Sequence, residues 1–232
     1  MIRTAASSGI THFDTSPYYG YGLAETDLGH FLHGQRAAFS VTTKVGLYPC
    51  GPASSHAVSV WGRKGLGKLV PAISLPLVSW HVDRARTSLQ ESMRRLKTDY
   101  VDFLFLHEPD IRLIRTDEFV GWMEAERARG SVRAWGLAGL ASQVAPWAQE
   151  NHPLAQVVQT QDSIDQRQAD FLFRCGRGLQ FTYGYLSSWK KAGRAERPES
   201  VIRQALERNP NGAVIVSTLH SEFITQLAQT AS

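Results

Sequence analysis

The segment that decides the fold is residues 82–107, which read VDRARTSLQESMRRLKTDYVDFLFLH. Its first part carries apolar residues at steps of three and four, the spacing of a helix with one buried face. These residues are Val82, Ala85, Leu89, Met93 and Leu96. The run that follows, residues 100–106, is apolar and aromatic apart from Asp102, which predicts a buried strand. A helix followed at once by a buried strand is the repeating unit of an α/β fold.

Similar short apolar runs recur along the chain and predict seven strands in all. They are residues 10–13, 39–43, 100–106, 132–137, 155–160, 179–183 and 213–217. Helical spacing returns between most of them, and Pro198 stands where one such helix could begin. The alternation predicts parallel strands joined by right-handed crossovers, in a single domain over residues 1–232. Periodicity alone leaves both an open doubly wound sheet and a closed barrel possible.

Composition excludes several classes of protein. The 232 residues, 43% hydrophobic and 20% charged, suffice for one sizeable core and exclude a disordered chain. The net charge of +4 is mild and suits a phosphate-bearing small molecule. The basic residues are spread out, without zinc-finger spacing or an aromatic RNA-binding signature, so no nucleic-acid partner is expected. No apolar run is long enough to span a bilayer, so no membrane partner is expected either.

The cysteines and one long segment give further expectations. Cys50 and Cys175 are far apart, which argues against a disulfide framework and favours the cytoplasm. Residues 47–79 are rich in Gly, Pro and Ser and are predicted to form a long loop on one face of the sheet. Within them, residues 62–69 match half of a phosphate loop, but Leu69 stands where a Ser or Thr is required, which argues against nucleotide hydrolysis.

Three consecutive predicted strands end in residues that can do chemistry. The first strand ends in Asp14, the second in Lys44 and the third in His107. Tyr18 and Tyr19 follow shortly after the first strand. Because the carboxyl ends of parallel strands meet at one rim, where α/β enzymes hold their active sites, we expect these side chains to lie together.

These residue types suit proton transfer to a carbonyl oxygen. A free tyrosine has a pKa of about 10, and a nearby ammonium group is expected to lower it. An aspartate can hold that ammonium group in place, and a histidine can hydrogen-bond the carbonyl oxygen. No side chain supplies hydride, so this chemistry implies a nicotinamide cofactor. No metal site is expected.

Three motifs resemble those of the aldo-keto reductase family. Residues 9–25, GITHFDTSPYYGYGLAE, resemble its first signature, and residues 43–46, TKVG, its lysine strand. Residues 88–110, SLQESMRRLKTDYVDFLFLHEPD, resemble its central helix and histidine strand. The resemblance follows the family's order over nearly the whole chain. It implies a (β/α)8 barrel of the TIM-barrel type and NADPH-dependent reduction of an aldehyde or ketone, or the reverse oxidation of an alcohol such as a sugar, with NADH as an alternative cofactor.

The resemblance also implies a role for each of four catalytic residues. Tyr19 is the general acid, with Tyr18 as the competing choice. Lys44 is its pKa partner, Asp14 supports Lys44, and His107 orients the substrate. The cofactor-binding residues implied in the same way are Gly139, Gln159, Tyr183, Ser217 and Thr218.

The sequence departs from the family pattern in three places. In the last loop Ser217 stands where the family usually has Gly, without an obvious Arg or Lys for the 2′-phosphate, so the choice between NADP and NAD stays open. Ala138-Gly139 stands where the family often has Ser-Asn or Ser-Gly, so one hydroxyl to the nicotinamide amide is missing, at a typical cost of about 1 kcal/mol. The family's N-terminal hairpin and first barrel strand have no counterpart before Gly9, so we expect a barrel lacking that unit. The alternative function is therefore a truncated, non-catalytic binding or regulatory protein. A monomer or a homodimer is expected.

Overall fold

The computed structural model describes residues 1–50, 76–193, 195–218 and 220–230. They belong to two compact units, one of His12–Gly136 and one of Met1–Thr11 with Leu137–Ser232. The single domain over residues 1–232 stays a prediction. In this part of the chain, no helix is long and apolar enough to cross a membrane. No group of three or more metal-ligating side chains occurs there either.

The strands alternate with helices as the sequence predicts. The strands are β1 (His12–Asp14), β2 (Ser40–Val45), β3 (Leu47–Tyr48), β4 (Leu77–Val78), β5 (Val101–His107), β6 (Val132–Gly139), β7 (Val157–Gln161), β8 (Phe181–Tyr183) and β9 (Ala213–Ile215). Seven of them form one sheet with the hydrogen-bonded order β1-β2-β5-β6-β7-β8-β9. These seven are the strands that the apolar runs predict, and no strand end differs from its predicted position by more than two residues.

The helices are α1 (Ile2–Ser7), α2 (Leu23–Leu32), α3 (Val82–Leu96), α4 (Thr116–Ala128), α5 (Ala141–Gln149), α6 (Asp170–Arg174), α7 (Tyr185–Lys191), α8 (Pro198–Arg208) and α9 (Ser221–Thr230). Helix α3 coincides with the predicted apolar stripe, and Ala85, Leu89 and Leu96 on that stripe are buried. Pro198 opens α8, as predicted, because the first turn of a helix does not use its N–H.

The predicted loop over residues 47–79 is wrong at both ends. Strand β3 pairs antiparallel with β4, with Leu47 opposite Val78. Leu47 and Tyr48 of β3 are buried, whereas Leu77 and Val78 of β4 are exposed. Residues 51–75, including the stretch 62–69 that resembles half of a phosphate loop, lie outside the described residues.

In the unit His12–Gly136, parallel pairing brings the ends of three strands to one edge. Asp14 lies opposite Thr42 in the pairing of β1 with β2, and Lys44 lies opposite Phe105 in the pairing of β2 with β5. Helices α2 and α3 pack closely, because Gly29 of α2 has no side chain to meet the backbone of α3.

In the other unit, β7, β8 and β9 are also parallel. Gln159 lies opposite Phe181 and Gln161 opposite Tyr183, and Tyr183 lies opposite Ile215. Directly paired residues of parallel strands point to the same face, and residues two apart along a strand share that face. The side chains of Gln159 and Tyr183 therefore stand on one face of the β7–β8 pair.

Candidate active site

A buried ion pair joins the ends of β1 and β2. Lys44 Nζ donates to Asp14 Oδ2 at 2.5 Å and to the Thr15 carbonyl oxygen at 3.1 Å. The Lys44 side chain is 2% exposed and that of Asp14 is 9% exposed. Because an unpaired ammonium group at this depth would be costly, the carboxylate of Asp14 offsets the burial of Lys44, and the pairing fixes the direction of its side chain.

Tyr19 is held beside this pair by an unusual turn. Gly20, Tyr21 and Gly22 all have left-handed backbone conformations, with φ of 61°, 57° and 87°. Glycine adopts such angles at little cost in free energy. Tyr21 has a side chain that makes this conformation strained, and the packing of that side chain in a buried position offsets the strain. The turn places the Tyr19 ring with its centroid 4.9 Å from Lys44 Nζ.

His107, the last residue of β5, completes the group. Its ring meets that of Tyr19 edge to face, with centroids 5.9 Å apart. His107 Nδ1 is buried and has no hydrogen-bond partner within the described residues. The structure thus brings Asp14, Tyr19, Lys44 and His107 into one cluster, as the strand ends predict.

The protonation of His107 follows from its surroundings. The pKa of His107 is lowered to about 3, mainly by burial and also by the Lys44 ammonium group, while Asp14 opposes the shift. The imidazole is therefore neutral near pH 7. A neutral imidazole can hydrogen-bond a carbonyl oxygen without adding a charge to the site.

The pKa of Tyr19 differs from the sequence-based expectation. Burial raises it above the ordinary value of 10, and the carboxylates of Asp14 and Glu108 raise it further. The ammonium group of Lys44 was expected to lower it. In this structure that group is bound to Asp14, whose negative charge acts on Tyr19 in the opposite direction. The phenol accordingly holds its proton at neutral pH, although 38% of the residue is exposed.

A second buried carboxylate supports the Lys44 strand from behind, and the sequence analysis did not single it out. Glu25 of α2 is fully buried and accepts a hydrogen bond from Thr43 Oγ1 at 2.6 Å. Arg95 Nε of α3 donates to its other oxygen at 2.8 Å. Glu25 therefore ties β2 to two helices, next to Lys44. The sequence signal that could have pointed to Glu25 is its position within the motif of residues 9–25. Its role as a support for β2 becomes visible only from its contact with Arg95.

The five predicted cofactor residues lie in the other unit. Gly139 is the last residue of β6, and Gln159, in β7, is 2% exposed. Tyr183 ends β8. Ser217 is exposed, and Thr218 Oγ1 accepts a hydrogen bond from the His220 backbone N–H at 3.1 Å, shortly before α9 begins.

These positions fit parts of a nicotinamide cofactor. Gln159 offers an amide and Tyr183 an aromatic ring on the same face of two neighbouring strands, which suits a carboxamide and the ring that carries it. Ser217 and Thr218 offer hydroxyl groups in the loop before α9, where a phosphate is favoured. Their assignment to a cofactor stays a prediction.

Comparison with known proteins identifies the relatives of the chain. A model of the Aldo/keto reductase family matches residues 1–169. The D-threo-aldose 1-dehydrogenase of Pseudomonas sp is 31% identical over 154 residues, covering 61% of this chain and 44% of that protein. The L-galactose dehydrogenase of Arabidopsis thaliana is 32% identical over 146 residues, covering 60% of this chain and 37% of that protein. The matched part thus spans less than half of the length of these relatives.

Solved structures share the fold over almost the whole chain. The holo form of an aldo-keto reductase from Bacillus halodurans matches 99% of this chain and 80% of its own, with a TM-score of 0.74 and 19% identity. An aldo-keto reductase from Klebsiella pneumoniae in complex with NADPH matches 99% of this chain and 77% of its own, with a TM-score of 0.67 and 19% identity. The predicted fold class, a barrel of the TIM type as in these reductases, is confirmed.

Proposed function

The chain belongs to the aldo/keto reductase family, and from that premise we propose that it is an NAD(P)H-dependent oxidoreductase. It reduces an aldehyde or ketone, or oxidises the corresponding alcohol. The observation that carries this proposal is the cluster in which the Asp14–Lys44 ion pair lies beside the rings of Tyr19 and His107. An acid, its charged partner and a neutral hydrogen-bonding ring in contact are what proton transfer to a carbonyl oxygen needs.

Each residue of the cluster has one task in this reaction. Tyr19 donates its hydroxyl proton to the carbonyl oxygen of the substrate. Lys44 stabilises the negative charge that the departing proton leaves on the phenol oxygen, and Asp14 keeps Lys44 in place. His107, neutral near pH 7, hydrogen-bonds the same carbonyl oxygen and orients it.

A bound nicotinamide cofactor supplies the hydride. Gln159 would hold its carboxamide and Tyr183 would stack against its ring, while Gly139, which has no side chain, would let the backbone approach the cofactor. Ser217 and Thr218 bind a phosphate. We propose NADPH as the preferred cofactor, with NADH as the alternative, because a solved relative of the same fold binds NADPH.

The substrate is a small carbonyl compound or alcohol. The names of the matched relatives include a D-threo-aldose dehydrogenase and an L-galactose dehydrogenase, which favours a sugar. The cytoplasmic location, the absence of nucleic-acid and membrane partners, and the monomer or homodimer stay predictions from the sequence.

The test separates the two adjacent tyrosines. Oxidation of L-galactose with NADP⁺ and with NAD⁺ and reduction of a small aromatic aldehyde with NADPH are measured for the wild type, Tyr19→Phe and Tyr18→Phe. Tyr19→Phe should lose at least about 100-fold in kcat, because general acid catalysis typically contributes that much. Tyr18→Phe is the matched control and should retain most of the activity.

Cofactor binding is measured alongside, from the fluorescence of NADPH. Tyr19→Phe should bind NADPH as the wild type does, because it lacks only the reacting hydroxyl. Equal rates for wild type and Tyr19→Phe would refute the catalytic assignment. A wild type that binds neither NADPH nor NADH would instead support the alternative, a non-catalytic binding or regulatory protein.

A further inference from the structure

A fully buried carboxylate lies just beyond the end of β7. Asp162 accepts hydrogen bonds from the Tyr185 hydroxyl at 2.7 Å and from Arg208 Nε at 2.7 Å. Its other oxygen accepts from Arg208 Nη2 at 3.3 Å and from the Ala169 backbone N–H at 3.2 Å. These four hydrogen bonds fix the position of the carboxylate.

The same arginine reaches a second acidic group. Arg208 Nη2, at the end of α8, lies 2.6 Å from Asp170 Oδ1 at the start of α6. The Arg208 side chain is only 9% exposed. We call Asp162, Asp170, Tyr185 and Arg208 the carboxylate clasp. It connects β7 to helices α6, α7 and α8.

Such a clasp contributes less to the stability of a fold than the number of its hydrogen bonds suggests. Burying charges carries a desolvation cost, and well-packed apolar residues often stabilise a site as well or better. What a buried, fully bonded network provides in addition is one defined geometry. It is therefore informative to ask which residues the clasp holds in place.

The residue that it holds most directly is Tyr183. The Asp162 backbone N–H donates to the Tyr183 carbonyl oxygen at 2.8 Å, which extends the pairing of Gln161 with Tyr183 by one bond. Gly184 then turns the chain with φ of 100°, and Tyr185 brings its hydroxyl back to the Asp162 carboxylate. Asp162 thus fixes the chain on both sides of the turn that follows Tyr183.

The Tyr185 hydroxyl keeps its proton for this bond. Burial raises the pKa of Tyr185 above its ordinary value of 10, and the Asp162 carboxylate raises it further. The hydroxyl therefore donates to Asp162 over the whole range of working pH.

We propose that Asp162 is a positioning residue for the nicotinamide: through its backbone N–H and the Tyr185 hydroxyl it fixes the ends of β7 and β8, which present Gln159 and Tyr183 to the cofactor. The proposal rests on the proposed function, because these two residues meet a nicotinamide only if the chain binds NAD(P)H. It adds a role for four residues outside the catalytic cluster.

The test compares two ligands that differ in the nicotinamide alone. Binding of NADPH and of 2′-phospho-ADP-ribose, which lacks the nicotinamide, is measured by calorimetry for the wild type, Asp162→Asn and Tyr185→Phe. Asp162→Asn should bind NADPH about tenfold more weakly, the equivalent of about 1.4 kcal/mol, and the fragment within about twofold of the wild type. Tyr185→Phe, which keeps the pairing of Asp162 with Arg208, should show a smaller loss in the same direction.

The matched control is a second buried carboxylate, which pairs with two arginines instead of one. Asp102 accepts from Arg36 Nη2 at 2.7 Å and from Arg133 Nη1 at 2.6 Å, near the start of β5 and at the opposite end of that strand from His107. Asp102→Asn should lower stability without changing the ratio of the two affinities.

The outcomes distinguish this inference from the proposed function. If the wild type binds NADPH and both clasp variants bind it equally well, the positioning role is refuted and the proposed function stands. The role is also refuted if NADPH and the fragment weaken together, because the clasp then supports the fold in general. If the wild type binds the fragment and NADPH with equal affinity, the nicotinamide adds nothing to binding, and the nicotinamide site itself is refuted.

Discussion

Lys44 and Asp14 form an ion pair with Nζ and Oδ2 2.5 Å apart and both side chains at least nine-tenths buried. The two residues are thirty positions apart in the sequence and become neighbours because β1 and β2 are parallel and end at the same edge. The pair organises the site, since the ring of Tyr19 lies against Lys44 and that ring in turn meets His107.

Removing one charge of this ion pair should lower the free energy of unfolding more than removing both charges. Lys44→Met leaves the Asp14 carboxylate buried without its partner and should lower the free energy of unfolding by about 3 kcal/mol. The double variant Asp14→Asn with Lys44→Met should recover part of that loss. Urea denaturation of the wild type, both single variants and the double variant measures the coupling. Strictly additive losses would contradict a direct interaction.

The depressed pKa of His107 makes stability depend on pH in a defined direction. Between pH 6.5 and about 3 the unfolded chain binds a proton that folded His107 does not, so stability falls as the pH falls through this window and is fully present above pH 6.5. At pH 5 the loss from this residue is about 2 kcal/mol. The measurement is the unfolding free energy at pH 5 and pH 8 for the wild type and His107→Asn.

The variant isolates this residue from the other acids of the chain. His107→Asn should depend less on pH over this interval than the wild type does, while the contributions of the carboxylates are common to both proteins. A pH dependence as steep in the variant as in the wild type would mean that His107 is not buried in its neutral form.

The raised pKa of Tyr19 predicts different pH profiles for the two directions of the reaction. Reduction needs the protonated phenol and should be flat between about pH 6 and pH 9, because the phenol keeps its proton there. Alcohol oxidation needs the phenolate and should rise by about tenfold per pH unit over the same range. Steady-state rates at saturating cofactor in both directions measure this. A reduction rate that falls from pH 7 upward would contradict the direction of the shift.

Close packing of α2 against α3 predicts a marked effect of one methyl group. A Cβ at Gly29 would overlap the Arg95 carbonyl oxygen and lie 2.7 Å from the Leu96 carbonyl carbon. Gly29→Ala should therefore destabilise the protein by about 1–3 kcal/mol, as overpacking does. Because Arg95 also holds Glu25 behind the Lys44 strand, activity should fall as well.

The matched control is a helical glycine with open space around it. Gly121 lies within α4, and a Cβ there would meet nothing within 4 Å. Gly121→Ala should leave activity unchanged and stabilise the protein by about 0.5–1 kcal/mol, because alanine loses less backbone freedom in a helix. Thermal or urea denaturation of both variants gives the contrast. Similar changes in the two variants would show that the helices can separate at little cost.

Much of the fold follows from local patterns in the sequence. The stripe from Val82 to Leu96 gives helix α3 its bounds, because one apolar residue every three or four positions can be buried only by a helix. The seven strands of the sheet lie where apolar runs occur. The short pairing of β3 with β4 was missed, since two-residue strands are too short to produce a pattern.

The candidate catalytic residues could also be predicted from the sequence. Parallel strands place their carboxyl ends together, so the residues that end the strands are expected to lie close to one another. The contacts of Glu25 with Arg95 and of Asp162 with Arg208 could not be predicted from the sequence. Each contact joins residues about 46 to 70 positions apart, through side chains that could equally have faced solvent. Asp162 shows what prediction from the sequence cannot reach, because nothing around it in the sequence distinguishes it from a surface aspartate.

The sequence by itself determined the order of strands and helices, the family, and which residues stand at the strand ends. Only the tertiary structure decided how these residues are charged and held: the raised pKa of Tyr19, the lowered pKa of His107 and the clasp around Asp162. The physical reason is that secondary structure and strand ends follow from neighbours along the chain. Burial and electrostatic interaction instead depend on distances between groups that only folding brings together.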